Sequence, residues 1–332
     1  MKRTALVLLI VAVLLAACAQ PQAQTQVAPT QPAATQASQS SSSSGEAGSF
    51  FVFLPKGLDN PYWDACRKGM EAEMAKLGVK AEFLGPETSD AAKQVQIFES
   101  VIARKPAAIA VSPNDPKTVE ESIAKATAAG IPVITWDADA PESQRILYIG
   151  TDNVAAGRTA GETLAKLIGG KGKVAILHGA LTALNAQQRV QGFEEALKNY
   201  PDIQIVATEP TEDSPETALA KAEALLQAHP DLAAFYGVTG VGVPGAAGAV
   251  KQANKCGQVK VVGFDVVPQG IEFMKAGCVD ALISQRPYGM TAQALDIMVN
   301  LAKGEKPSST NIDTGVEVVY PDQLDQFLQT DH

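Results

Sequence analysis

"AAIAVSPNDPKTVEESIAKATAAGIPVITW", Ala107 to Trp136, decides the fold. It opens on an apolar run at 107–111, passes through a helical pattern at 116–129, and closes on a second apolar run at 131–135. A continuous apolar run, rather than an alternating one, suits a strand covered on both faces of a parallel sheet. Strand, helix and strand in this order form the unit from which such sheets are wound.

The unit repeats in both directions. Further strands are expected at 49–54, 80–84, 173–178, 203–207, 232–238, 259–264 and 280–284. Helical patterns fill the gaps at 61–77, 90–104, 153–169, 186–199, 215–228, 244–254, 268–276 and 288–303. This much alternation predicts a doubly wound α/β fold. The pattern divides into two similar halves near "YIGTDN", Tyr148 to Asn153, and a chain of 332 residues is long enough for two domains.

The first residues follow different rules. "MKR" is a basic start and "TALVLLIVAVLLAA" is an apolar run of signal-peptide length. It ends in "LAAC", which resembles a bacterial lipobox with Cys18 as the lipid-bearing residue. Residues 1–18 are therefore expected to be a signal peptide. Residues 19–48, rich in Gln, Ala, Pro, Thr and Ser, are too poor in large apolar side chains to offset their ordering entropy. They are expected to form a disordered tether to a membrane, with the folded body outside the cytoplasm, in the periplasm or on the cell surface.

A net charge of −9 argues against a nucleic-acid partner. Beyond Cys18 three cysteines remain, Cys66, Cys256 and Cys278, and an odd count leaves one over. No C-x-x-C occurs, so neither a metal site nor thioredoxin-like chemistry is expected.

In open α/β sheets ligands bind beyond the carboxyl ends of the strands. At those ends stand "DNPYW" (Asp59–Trp63), Trp136 with Asp137 and Asp139, and Asn185. Further along come "TGVGVPG" (Thr239–Gly245), Asp265, and Gln285 with Arg286. Carboxylates and carboxamides satisfy hydroxyl groups, and flat rings pack against the C–H face of a pyranose. A sugar fits this inventory.

At these residues the chain resembles the sugar-binding lipoproteins of bacterial ABC importers, of the ribose-binding-protein type. "NPYWDACRKGMEAEMAKLG", "IPVITWDADAP", "YIGTDNVAAGRTAG", "RVQGFEEAL", "VKVVGFD" and "ISQRPYGM" look like that family's landmarks, in order, over about residues 50 to 320. Within it, "TWDADAPESQRILYIGTDN" and "LTALNAQQRVQGF" look most like glucose-binding members. The resemblance implies two doubly wound parallel-sheet lobes joined by a three-strand hinge. Residues 49–151 with 286–313 would form one lobe, and 152–285 with 314–332 the other. It implies a monosaccharide ligand, an ABC permease as partner, no cofactor and a monomer.

Carried over residue by residue, Asn60 matches a hydroxyl ligand, Tyr62 and Trp63 match ring-packing aromatics, and Asp137 matches a carboxylate holding two hydroxyls. Asp265 and Gln285 match ligands from the second lobe. The ribose binder has Arg where Ala138 stands, which brings in Asp139. It has Arg at Gln187, which turns attention to Asn185 and Arg189. Its Asn or Asp after the strand at 232–238 is absent. These departures favour a pyranose, D-glucose first, then xylose or galactose, then ribose. Cys256 and Cys278 each precede a strand in the same half. If those strands are neighbours a bridge is feasible, and related lipoproteins look similar there, so a Cys256–Cys278 disulfide is expected with Cys66 reduced.

Blander roles compete for several of these residues. Trp63 could be core at helix spacing, Asp265 could cap the helix near Pro268, and Arg189 could be a surface residue. "GVGVPG", Gly240–Gly245, has the G-x-G-x-x-G form of a dinucleotide fingerprint, with Asp265 downstream. An exported oxidoreductase is the rival this raises. Its position in the second half of an exported chain speaks against it. Hydrolase motifs such as G-x-S-x-G and H-E-x-x-H are absent.

Overall fold

A computed structural model describes residues 50–330; the expected signal peptide, Cys18 and the tether lie outside them. In the first half the order is β1 (Phe50–Leu54), α1 (Tyr62–Leu77), β2 (Lys80–Phe83), α2 (Ala91–Ala103), β3 (Ala108–Val111), α3 (Pro116–Ala128), β4 (Val133–Trp136) and β5 (Tyr148–Gly150). The second half continues with α4 (Asn153–Leu167), β6 (Lys171–His178), α5 (Leu184–Leu197), β7 (Asp202–Pro210), α6 (Pro215–Ala228), β8 (Leu232–Gly237), α7 (Gly242–Gln252), β9 (Lys260–Phe264), α8 (Pro268–Lys275) and β10 (Ala281–Ser284). The chain ends with α9 (Pro287–Ala302), β11 (Asn311–Asp313), β12 (Glu317–Val319) and α10 (Leu324–Thr330).

Two six-stranded sheets result, ordered β11-β5-β4-β3-β1-β2 and β12-β10-β9-β8-β6-β7. All pairings are parallel except β10 with β12. Apolar side chains of β1 serve opposite faces in turn, as strand pleating requires. Phe51 and Phe53 pack with α1 and α9, whereas Val52 and Leu54 pack with α2 and α3. In the second sheet Ala175 and Leu177 of β6 pack with α6 and α7, and Val174 and Ile176 with α4 and α5. Covering on both faces explains why β3, "AIAV", is wholly buried and reads as an unbroken apolar run.

The chain crosses between the sheets three times, from β5 to α4, from β10 to α9 and from β11 to β12. Strand β5 was legible only as part of "YIGTDN", and β11, β12 and α10 are absent from the expected elements. Each of these strands has three residues, too few to display a period. β9 and β10 are neighbours, and the segments preceding them bring Cys256 and Cys278 to a Cα separation of 4.5 Å. The expected disulfide joins them, and Cys66 is free and buried on α1.

Candidate functional site: the cleft between the lobes

In each sheet the strand order reverses beside the first strand of its half, β1 in one and β6 in the other. These reversals leave crevices at the carboxyl ends of the strands. The crevices face each other across a small cavity. The lining comes from both lobes.

From the first lobe come Lys56, Asn60, Tyr62, Trp63, Ser89 and Asp137. Pro61 sets the entry to α1, and the side chain of Asn60 accepts the Tyr62 N–H at 3.0 Å, so the turn is held by the same residue that faces the cavity. Tyr62 and Trp63 meet edge to face at 5.0 Å, and Trp63 meets Trp136 the same way at 5.4 Å. Trp63 is only 4% exposed, so it serves the cavity wall and the core together. Asp137 sits past the end of β4 with φ +60°, a left-handed conformation that a non-glycine residue adopts at a cost. Ser112 Oγ donates to its Oδ2 at 2.6 Å.

From the second lobe come Asn185, Arg189, Asp213, Thr239, Gly240, Asp265 and Gln285. Gln285 Nε2 donates to Asp265 Oδ1 at 2.8 Å, while its Oε1 accepts from Thr151. Arg189 is no surface residue. Its Nε donates to Asn153 Oδ1 at 2.9 Å, its Nη1 to the Val238 carbonyl at 3.0 Å, and its guanidinium lies 4.0 Å from the centre of the Phe264 ring. Its Nη2 is buried without a partner, as is the Tyr62 hydroxyl. These are unmet donors on a cavity wall.

Lys56 reaches across the cleft. Its Nζ donates to Asn185 Oδ1 at 2.7 Å and lies 3.9 Å from Asp137 Oδ2. Burial pulls its pKa down, and the carboxylates of Asp137 and Asp213 work against that. Burial likewise pushes Asp265 up to about 6, opposed by Arg189 and by the Gln285 hydrogen bond. The cavity thus holds three carboxylates, two cations, three carboxamides and aromatic rings. It can satisfy many hydroxyl groups but presents no donor set for a metal: among the described residues no group of three His, Cys, Asp or Glu gathers.

A family model described as "Periplasmic binding protein domain" matches residues 51–306. The chain belongs to the periplasmic binding protein family. It is 31% identical over 272 residues to the D-allose-binding periplasmic protein of Escherichia coli (strain K12), which covers 79% of this chain and 88% of that one. The solved structure of a solute-binding protein from Burkholderia graminis in complex with D-arabinose superposes with a TM-score of 0.80 at 36% identity, over 83% of this chain and 96% of that one. GanP, a glucose-galactose binding protein from Geobacillus stearothermophilus, gives 0.79 at 36% identity, over 83% and 98%. Membership in this family places the body outside the cytoplasm, and its relatives are binding proteins of transporters; the chain is not an enzyme.

The rival fingerprint has packing reasons instead. A Cβ on Gly245 would meet Ala218 Cβ at 2.6 Å and one on Gly242 would meet Gly237 Cα at 2.9 Å, so these two glycines seat α7. A Cβ on Gly240 would stand 3.0 Å from Asn60 Oδ1 and 3.2 Å from Asp265 Oδ2, so Gly240 lets the lobes approach.

Of the residues singled out in the sequence, Asn60, Tyr62, Trp63, Asp137, Asn185, Arg189, Asp265 and Gln285 line this one cavity. Asp139 is not brought to it. Its carboxylate is taken by Arg145, with Nε at 2.5 Å and Nη2 at 2.7 Å, and also accepts from Thr135 Oγ1 and the Ala140 N–H. Those four donors use up the acceptors a hydroxyl would need. Sequence reasoning passed over Lys56, Ser89 and Asp213 as lining residues, and Ser112 behind Asp137. All follow the carboxyl end of a strand, so the rule that located the others would have located them.

Proposed function

We propose that the protein captures a monosaccharide in this cleft and delivers it to an ABC importer. D-glucose is the first candidate among the pyranoses, with xylose, galactose and ribose as alternatives. One observation carries the reading: hydroxyl-pairing side chains from both lobes converge on a small cavity walled on one side by Tyr62 and Trp63. The two rings offer apolar contact to a sugar's C–H face, while Asn60, Asp137, Asp265, Gln285, Asn185 and Arg189 hold its hydroxyls. The named ligands of the three relatives are sugars, in keeping with this. Cys18 carries the lipid anchor, residues 19–48 tether the body to the membrane, and the body works as a monomer.

Thermal shift and calorimetry with the purified body over a panel of aldohexoses, pentoses and ketoses test the reading. An accepted sugar at a hundredfold excess over Kd should stabilise the fold by about 2.7 kcal/mol. A panel in which no monosaccharide shifts the melt sinks it. A panel led by a sugar other than glucose keeps the receptor and replaces the ligand.

A further inference from the structure

The wall of the cleft contributed by the loop after β7 has an unmet demand. β7 ends at Pro210, and the Thr211 N–H donates to the His178 carbonyl at 2.8 Å, which fixes the loop beside the end of β6. Glu212 and Asp213 then take successive left-handed conformations, φ +52° and +53°. A non-glycine residue adopts that backbone at a cost, and the Asp213 side chain lines the cavity. Ser214 caps α6 by accepting the Thr217 N–H, so the loop is held at both ends.

Asp213 is 9% exposed, and its Oδ1 is buried with no hydrogen-bond partner. Thr239 Oγ1, on the same wall, is also buried and unpartnered. Gly179 leaves the room between them: a Cβ there would lie 2.7 Å from Asp213 Oδ1 and 2.7 Å from Thr239 Cγ2. A buried carboxylate oxygen left without a donor is costly, so this site is built to be completed by something that enters.

We infer that Asp213 is a specificity-determining residue of the cleft, accepting one hydroxyl of the bound sugar with Thr239 as its neighbour. The inference rests on the sugar reading and extends it. The ligand must present a donor to this wall, and a sugar lacking that hydroxyl leaves the oxygen buried and unpaired. A site that hydrogen-bonds a hydroxyl rejects the analogue without it far more strongly than an apolar pocket rejects a missing methylene. Neither a metal nor a protein partner is needed to account for the geometry.

Calorimetry with the best-bound sugar and its complete set of monodeoxy analogues tests this, using the wild-type body, Asp213→Ala and Asp213→Asn. For one analogue the wild type should lose roughly 10- to 100-fold in affinity, the scale of a hydrogen bond to a charged group. In Asp213→Ala that one penalty should shrink to near nothing, while penalties at the other positions persist. Asp213→Asn, which keeps an acceptor oxygen, should retain part of it. Ligand-free melting temperatures near wild type show that the variants fold. If the penalty profile of Asp213→Ala matches the wild type at every position, the assignment is overturned and the sugar reading stands. If the wild type binds no sugar, the reading falls and the inference with it.

Discussion

Lys56 Nζ donates to Asn185 Oδ1 across 2.7 Å, and the two residues belong to opposite lobes. The same ammonium lies 3.9 Å from Asp137. One cation therefore ties the first lobe's carboxylate to the second lobe's α5. Lys56→Met removes the link and leaves Asp137 facing the cleft with Ser112 as its hydrogen-bond donor. Sugar affinity should fall roughly 10- to 100-fold, as for the loss of a buried charged hydrogen bond. Small-angle scattering of the variant at saturating sugar should show a more open pair of lobes. An unchanged affinity would mean that the contact is incidental to closure.

The Cys256–Cys278 bridge spans a sequence separation of 22 and should stabilise the body by about 3 kcal/mol. Cys256→Ser with Cys278→Ser should lower the denaturant midpoint accordingly, with ligand preference unchanged, because the bridge lies before β9 and β10 while the cleft lies beyond their other ends. Cys66 behaves differently. Burial raises its thiol pKa well above the usual value, so it should resist alkylation in the folded body and react once denatured. Labelling of Cys66 in the native state counts against its buried place.

Most of the fold could be read because its strands are buried on both faces. "AIAV" and "KVVGF" declare themselves, whereas Asn311–Asp313, partly exposed and three residues long, has no period to display. The site was legible where a residue type unusual for its place stands at a strand end, as Asp137 and Asp265 do. Lys56 escaped because a lysine near a loop is ordinarily solvated, whereas here it is buried with its Nζ donating to Asn185 of the opposing lobe. Asp213 escaped because β7, an edge strand with exposed residues, runs to Pro210, three residues past its expected end at 207. Asp139 misled because its partner Arg145 lies six positions away on a loop whose path only the fold determines.

Cys18 lies outside the described residues, and its role is tested in cells. Cys18→Ala should move the protein from the membrane fraction to the soluble fraction, since lipid attachment needs the thiol. Full retention on membranes would place the anchor elsewhere.

Trp63 and Asp137 should fail in different ways. Trp63 is packed against Trp136 as well as the cavity, so Trp63→Ala should destabilise the ligand-free body by roughly 3 kcal/mol or more. It should also weaken every accepted sugar by a similar factor, about 2–4 kcal/mol, because stacking does not distinguish hydroxyl orientation. Asp137→Asn removes little packing and alters the polar edge, so it should reorder the ranking among sugars. A stability loss in Trp63→Ala with affinity intact would make Trp63 a core residue alone.

Asp265 gives the pH dependence its sign. Its carboxyl titrates at 3.8 in the unfolded chain and at about 6 in the fold, chiefly because burial disfavours the charged form. Between those values the folded state holds more protons than the unfolded state. Stability contributed at this residue is therefore full at low pH, falls as pH rises from 3.8 to about 6, and is gone above that. The span corresponds to something on the order of 3 kcal/mol. Asp265→Asn keeps an oxygen to accept from Gln285 Nε2 but carries no charge to desolvate. The ligand-free variant should thus gain on the wild type across that window and hold its advantage above it, as read from melting temperatures at a series of pH values. Sugar affinity should move the other way, since the charged acceptor is lost. If the two melting curves run parallel through the window, the Asp265 carboxylate does not pay for burial in the fold, and its place in the closed cleft must be redrawn.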